Sequence, residues 1–154
     1  MTSPEGFLGQ KPAWCPGCGN FGILKAFTRA LSELAIAPHE IVFVSGIGQA
    51  AKIPHYLRCN TFNGLHGRAL PAATGAKIAN HNLVVIAAGG DGDGYAEGGN
   101  HFIHAMRRNL DLTYLVHNNQ IYALTKGQAS PTTDKDMVTG TTPEGNSMEP
   151  ERPL

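Results

Sequence analysis

Two short stretches carry side chains suited to holding a metal ion and a phosphate. Gly90-Asp91-Gly92-Asp93-Gly94 follows one apolar run, and Asn118-Asn119 follows the next. A carboxylate and an amide oxygen are hard donors, the kind that Mg²⁺ takes beside phosphate oxygens. The glycines leave backbone N–H groups open to an anion, and a helix starting near Gly98 adds its positive end. A diphosphate held through Mg²⁺ uses all of these at once. The same residues also read as two ordinary turns, but their shared context of strand, turn, helix and strand favours the ligand.

Other motifs are tested and set aside. Gly46-Ile47-Gly48-Gln49-Ala50-Ala51 fits G-x-G-x-x-A after a strand, yet a dinucleotide site needs an acid about 20 residues further on, and no Asp or Glu lies between Ile41 and Gly90. An EF-hand started at Asp91 would need Asp or Asn, then Gly, and finally Glu where Tyr95, Ala96 and Phe102 stand. No G-x-x-x-x-G-K-[ST] occurs. The acid-free stretch holds Lys52, His55, Arg58, His66, Arg68, Lys77 and His81, which implies loops facing an anion; Arg58, Lys77 and His81 are expected as solvated surface charges. Cys15, Cys18 and Cys59 cannot pair without leaving one over. Cys15-x-x-Cys18 reads equally as half of a zinc site, a redox pair or part of an iron–sulfur ligand set.

These residues need a scaffold. Asn20 can cap a helix with Phe21, Leu24, Phe27, Leu31 and Leu34 at helical spacing, ending before Pro38. Ile41–Val44 reads as a buried strand opening into a glycine loop, and 71–79 as a helix. Residues 83–88 form a second strand, 98–108 a helix and 112–116 a third strand. Apolar strands alternating with helices predict an α/β fold, a doubly wound and mainly parallel sheet with ligands beyond the carboxyl ends of the strands. From Ala129 the chain is polar, with Pro131, Pro143, Pro150 and Pro153, so 1–128 is expected as the ligand-binding domain. Residues 129–154 are expected as an extended loop or lid, the start of a C-terminal part that a longer natural chain would supply.

Composition bounds the function classes. The chain has 154 residues, 42 % hydrophobic and 16 % charged, with twelve basic side chains against twelve acidic. That describes one folded, neutral domain and offers no electrostatic case for nucleic acid. No apolar run reaches the roughly 18 residues of a membrane span, and the N-terminus lacks a basic-then-apolar leader. A cytoplasmic protein without a membrane partner is expected.

Gly90-Asp91-Gly92, then helix, strand and Asn118-Asn119, resembles the thiamine diphosphate motif. Four further stretches agree with it: Trp14-Cys-Pro-Gly-Cys-Gly19, Val44-Ser-Gly-Ile-Gly48, Leu65-His-Gly-Arg-Ala-Leu-Pro71 and Leu124-Thr-Lys-Gly-Gln-Ala-Ser-Pro-Thr132. Together, over about Trp14 to Arg152, they resemble the β subunit of 2-oxoacid:ferredoxin oxidoreductases, most closely the 2-oxoglutarate, KorB-type branch. The resemblance implies a PP-type thiamine diphosphate-binding fold. It implies Mg²⁺ held by Asp91, Asn119 and the Ile121 carbonyl, and a cofactor site formed by Ile47, Gly48, His66, Gly90, Asp91, Gly92, Asp93, Asn119, Ile121, Tyr122, Leu124 and Thr125. Asp93 would support the Mg²⁺ loop or cap the next helix. His66 is the implied catalytic residue beside the cofactor ring, and Lys52, Arg68 and Lys126 would meet the 2-oxoacid. Cys15 and Cys18 match two ligands of a [4Fe–4S] cluster. Gln49 stands where many members place a third cysteine; Cys59 either substitutes for it or is a buried free thiol.

The implied reaction is oxidative decarboxylation of a 2-oxoacid to an acyl-coenzyme A, with electrons passed to ferredoxin. An α subunit would complete the site, so the chain alone is expected to be inactive. A non-oxidative thiamine diphosphate decarboxylase or synthase subunit, or a non-catalytic module holding zinc on its cysteines, are the alternative readings.

Overall fold

The computed structural model describes residues 3–151. Strands β1 (Ile41–Ser45), β2 (Asn60–Asn63), β3 (Val84–Gly90) and β4 (Thr113–His117) form one parallel sheet in the order β2-β1-β3-β4. The chain leaves β1 toward one edge and returns to build β3 on its other side. In sheets of this kind the ligand crevice lies beyond the carboxyl ends of the strands where the order reverses, here between β1 and β3.

Both faces of the sheet are covered, as continuous apolar strands require. Ile41, Phe43, Ile86 and Ala88 pack with Leu24 and Leu31 of helix α1 (Asn20–Glu33). Val44, Val85 and Ala87 pack on the opposite face with Ala69, Leu70 and Ala73 of helix α3 (Ala69–Ala79), joined by Phe102 and Ala105 of helix α4 (Gly99–Arg108). A single-turn helix, α2 (Ile53–Tyr56), precedes β2, and a two-residue hairpin pairs β5 (Ile121–Tyr122) with β6 (Gln128–Ala129).

Five sequence expectations change. β2 was not foreseen, because Asn-Thr-Phe-Asn has no apolar run and is exposed throughout. Its asparagines supply the reason for its place: Asn60 Nδ2 donates to the His39 and Ile41 carbonyls, and Asn63 Nδ2 to Ser45 Oγ and the Ala51 carbonyl. Asn20 is the first residue of α1 rather than its cap, and its side chain turns inward to His117. Helical winding after β3 starts at Gly92, not near Gly98, as a wide π-type turn (Gly92–Glu97) leading into α4; such turns often mark functional sites. Arg58 and His81 are exposed as expected, whereas Lys77 is 5 % exposed. Its ammonium donates to the His81 and Leu83 carbonyls and pairs with Asp111 at 2.8 Å, stapling the end of α3 to the starts of β3 and β4. Finally, the polar stretch after Ala129, irregular as expected, is packed inward in part: Ser130, Thr132, Thr133 and Asn146 are buried. Residues 152–154, the end of that stretch and of the resemblance, lie outside the described residues.

Candidate functional site

Beyond the carboxyl ends of β1, β3 and β4 lies a cleft of about 400 Å³, walled by the loops that follow those strands and by the entry to α1. Its volume falls in the range of small-molecule sites. Every residue expected to contact the cofactor lines it, from Ile47 and Gly48, through His66 and Gly90 to Asp93, to Asn119, Ile121, Tyr122, Leu124 and Thr125. Cys15 and Cys18 line it too.

Asp91 and Asp93 are buried two residues apart, at 1 % and 3 % exposure, and are held differently. Asp91 Oδ2 accepts from Ser130 Oγ at 2.5 Å and Thr132 Oγ1 at 2.6 Å, whereas Oδ1 meets only the Asn119 amide at 3.4 Å. Asn119 in turn accepts the Ile121 N–H at 3.3 Å, a tight turn that sets its side chain and the Ile121 backbone side by side. Asp93 Oδ1 accepts from the backbone of Ile47 at 3.1 Å and Gly67 at 2.9 Å, and His66 Nδ1 stands 3.0 Å away. Burial pushes the Asp93 carboxyl above the usual carboxylate range, against the pull of the two amides and His66. The Asp93 side chain therefore caps no helix; it ties the loops after β1 and β2 to the loop after β3.

Two glycines permit this closeness. Gly67 has φ +67°, and a Cβ there would strike the Glu97 and Gly98 backbone. At Gly92 a Cβ would overlap the ring of Tyr122, whose hydroxyl donates to the Gly92 carbonyl at 3.0 Å.

The cleft also gathers residues that motif reading passed over. His117, at the end of β4, places Nδ1 2.8 Å from Asn20 Oδ1, and burial lowers its pKa. Trp14 donates its indole N–H to the Gln49 carbonyl at 2.8 Å. Gln49 Oε1, Asp93 Oδ2 and His117 Nε2 are buried side-chain polar atoms without a hydrogen-bond partner among the described residues, and all three residues line this cleft. Buried polar atoms are ordinarily satisfied, so their concentration here marks a surface built for a polar occupant. No sequence signal announces His117, and although Ser130 and Thr132 fall inside the Leu124–Thr132 stretch, nothing in that stretch marks their hydroxyls as partners of Asp91.

Four expected site residues lie apart from the lining. Lys52 sits on the short turn behind Gln49, and Lys126 is exposed in the β5–β6 connection. Arg68 is exposed and places a guanidinium nitrogen 2.8 Å from His101 Nε2. Cys59 immediately precedes β2, whose first residue pairs with Val42 near the amino end of β1, so it lies away from Cys15 and Cys18. Burial raises its thiol to about 11. No group of three His, Cys, Asp or Glu side chains placed to hold a metal ion occurs among the described residues.

Comparison with known proteins agrees with this geometry. Residues 42–152 match the family described as thiamine pyrophosphate enzyme, C-terminal TPP binding domain. The 2-oxoacid:ferredoxin oxidoreductase subunit beta of Saccharolobus solfataricus is 54 % identical over 135 residues, which is 86 % of this chain and 44 % of that protein. The 2-oxoglutarate oxidoreductase subunit KorB of Mycobacterium tuberculosis is 47 % identical over 94 % of this chain and 39 % of that one. A solved 2-oxoglutarate:ferredoxin oxidoreductase from Magnetococcus marinus, with 2-oxoglutarate, coenzyme A and succinyl-CoA bound, superposes with a TM-score of 0.97 at 43 % identity, covering 99 % of this chain and 53 % of that one. The chain thus spans about half the length, or less, of the relatives it matches. Motifs, parallel sheet and cleft converge on one conclusion: the chain belongs to the thiamine pyrophosphate enzymes, as a TPP-binding domain similar to the β subunits of 2-oxoacid:ferredoxin oxidoreductases.

Proposed function

We propose that this chain is the thiamine diphosphate-binding part of a 2-oxoacid:ferredoxin oxidoreductase, acting with an α subunit on a 2-oxoacid, 2-oxoglutarate first among them, with coenzyme A as acyl acceptor and ferredoxin as electron acceptor. The observation that carries it is the cleft itself, where Asp91 Oδ1, Asn119 and the Ile121 backbone converge beside unsatisfied polar atoms. The names of the relatives and the ligands of the Magnetococcus marinus enzyme support the substrate class.

The donor set fits Mg²⁺ with a diphosphate: an uncharged amide oxygen, a carbonyl and one carboxylate leave coordination positions for phosphate oxygens. When bound, thiamine diphosphate supplies a carbon nucleophile and an electron sink. The chain's own residues bind and orient. Gly90 and Gly92 bring backbone close to the diphosphate; Ile47, Gly48, Tyr122, Leu124 and Thr125 enclose the rest of the cofactor. His66, braced at Nδ1 by Asp93, keeps Nε2 for a proton on substrate. Lys52, Arg68 and Lys126, which lie apart from the lining on the connections after β1, β2 and β5, are the cations we propose for a 2-oxoacid carboxylate. A [4Fe–4S] cluster takes four thiolates. The cleft presents Cys15 and Cys18, with Gln49 beside them and Cys59 elsewhere, so the described residues do not complete that set. We take 1–128 as the cofactor-binding domain and 129–154 as an extended loop or lid. The setting we propose is cytoplasmic, in keeping with three free cysteines and with no helix of the described residues long and apolar enough to cross a membrane.

Calorimetric titration with thiamine diphosphate, with and without Mg²⁺, tests the reading. Binding that requires Mg²⁺ and weakens at least about a hundredfold in Asp91→Ala is expected, since a direct ligand should matter more than the outer partners of a metal site. Equal affinity in the variant overturns the site. Zinc bound in the isolated protein, without cofactor affinity, favours the non-catalytic module instead.

A further inference from the structure

The stretch that reads as a polar lid delivers its buried hydroxyls to one oxygen of one carboxylate. Ser130 and Thr132, 8 % and 3 % exposed, both donate to Asp91 Oδ2, while Oδ1 keeps only the 3.4 Å contact with the Asn119 amide. The same segment grips the turn that carries Asn119. Thr132 Oγ1 lies 2.9 Å from Asn118 Oδ1, and Thr133 Oγ1, fully buried, donates to the Gln120 carbonyl at 2.5 Å while accepting the Ser130 N–H at 2.8 Å. Segment 130–133 therefore sets both the rotation of Asp91 and its distance from the Asn118–Gln120 turn. These contacts leave Asp91 one oxygen to offer a cation.

We propose that Ser130 and Thr132 are positioning residues that hold Asp91 as a single-oxygen metal ligand and so make the site select Mg²⁺ over Ca²⁺. Mg²⁺ is small, demands near-ideal octahedral geometry and suits a carboxylate binding through one oxygen. Ca²⁺ takes six to eight oxygens at longer range and readily uses both oxygens of a carboxylate. An Asp whose second oxygen carries two hydroxyl donors cannot supply that second contact without losing them. Partners of this sort outside the ligand shell typically change metal affinity ten- to hundredfold.

This inference rests on the cofactor reading above, and the test separates the two. Thiamine diphosphate is titrated into the intact protein at fixed Mg²⁺ or fixed Ca²⁺, following the fluorescence of Trp14, the chain's single tryptophan and a cleft residue. The unmodified protein should bind the cofactor more tightly with Mg²⁺ than with Ca²⁺. Ser130→Ala and Thr132→Val should each weaken Mg²⁺-supported binding about tenfold or more, and Ca²⁺-supported binding far less, so the preference shrinks. Thr132→Ser, which keeps the hydroxyl, should retain it. Equal loss with both metals in a variant whose circular dichroism is unchanged, no loss in either, or a lost preference in Thr132→Ser overturns the proposal. Absence of metal-dependent binding in the unmodified protein overturns the cofactor reading itself.

Discussion

At the amino end of the sheet, buried polar groups are closed off. The buried Lys77 ammonium has two carbonyls and Asp111, and the exposed Asn60 likewise donates to the His39 and Ile41 carbonyls. At the carboxyl end, three buried side-chain atoms have no partner among the described residues, and Asp91 keeps one oxygen nearly bare. Both ends bury polar atoms at a cost in lost hydration, yet one returns that cost as protein hydrogen bonds and the other leaves it unmet by the protein. Polarity alone does not distinguish a structural end from a binding end; satisfaction does.

That contrast can be broken by moving stability and binding separately. Lys77→Met keeps the stem but strands the His81 and Leu83 carbonyls, so unfolding should lose about 1–3 kcal/mol while thiamine diphosphate affinity holds; affinity that falls with stability would show that the two ends are not independent. A smaller effect belongs to His117. Burial lowers its pKa below 6.5, so the unfolded chain protonates first on acidification. Its contribution to stability is full above 6.5 and is lost as pH falls from there toward the lowered folded value. Melting temperature between pH 7 and 5 should therefore fall more steeply in the parent than in His117→Gln, and parallel slopes would refute that. The third effect leaves stability untouched. With its thiol near 11, Cys59 carries roughly a thousandth of its thiolate form at pH 8, so iodoacetamide read by mass spectrometry should label exposed Cys15 well ahead of Cys59.

The alternation of apolar runs with glycine clusters was enough to read three strands of the sheet, their helices and the end at which the cleft opens. Continuous hydrophobicity over 41–44 and 83–88 means burial on both faces, which a parallel sheet between helix layers provides. β2 was illegible because an edge strand buries little, and its position depends on asparagine bonds to distant carbonyls. Lys77 was misread for a related reason: a basic residue near a helix end is ordinarily solvated, and only the meeting of α3 with the starts of β3 and β4 encloses it.

The chain's own text determined the candidate donors and their order: Asp91 after one strand, Asn119 after the next, glycines around both, and the family they resemble. Those are local properties, set by residue type and by spacing along strand and turn. Only the tertiary structure decided which oxygen of Asp91 is free, that Asp93 braces the loops after β1 and β2, that His117 and Asn20 share a wall of the cleft, and that Cys59 stands apart from Cys15 and Cys18. Each of these joins residues tens of positions apart through a hydrogen bond or a strand register, and no periodicity within a single element encodes such a meeting.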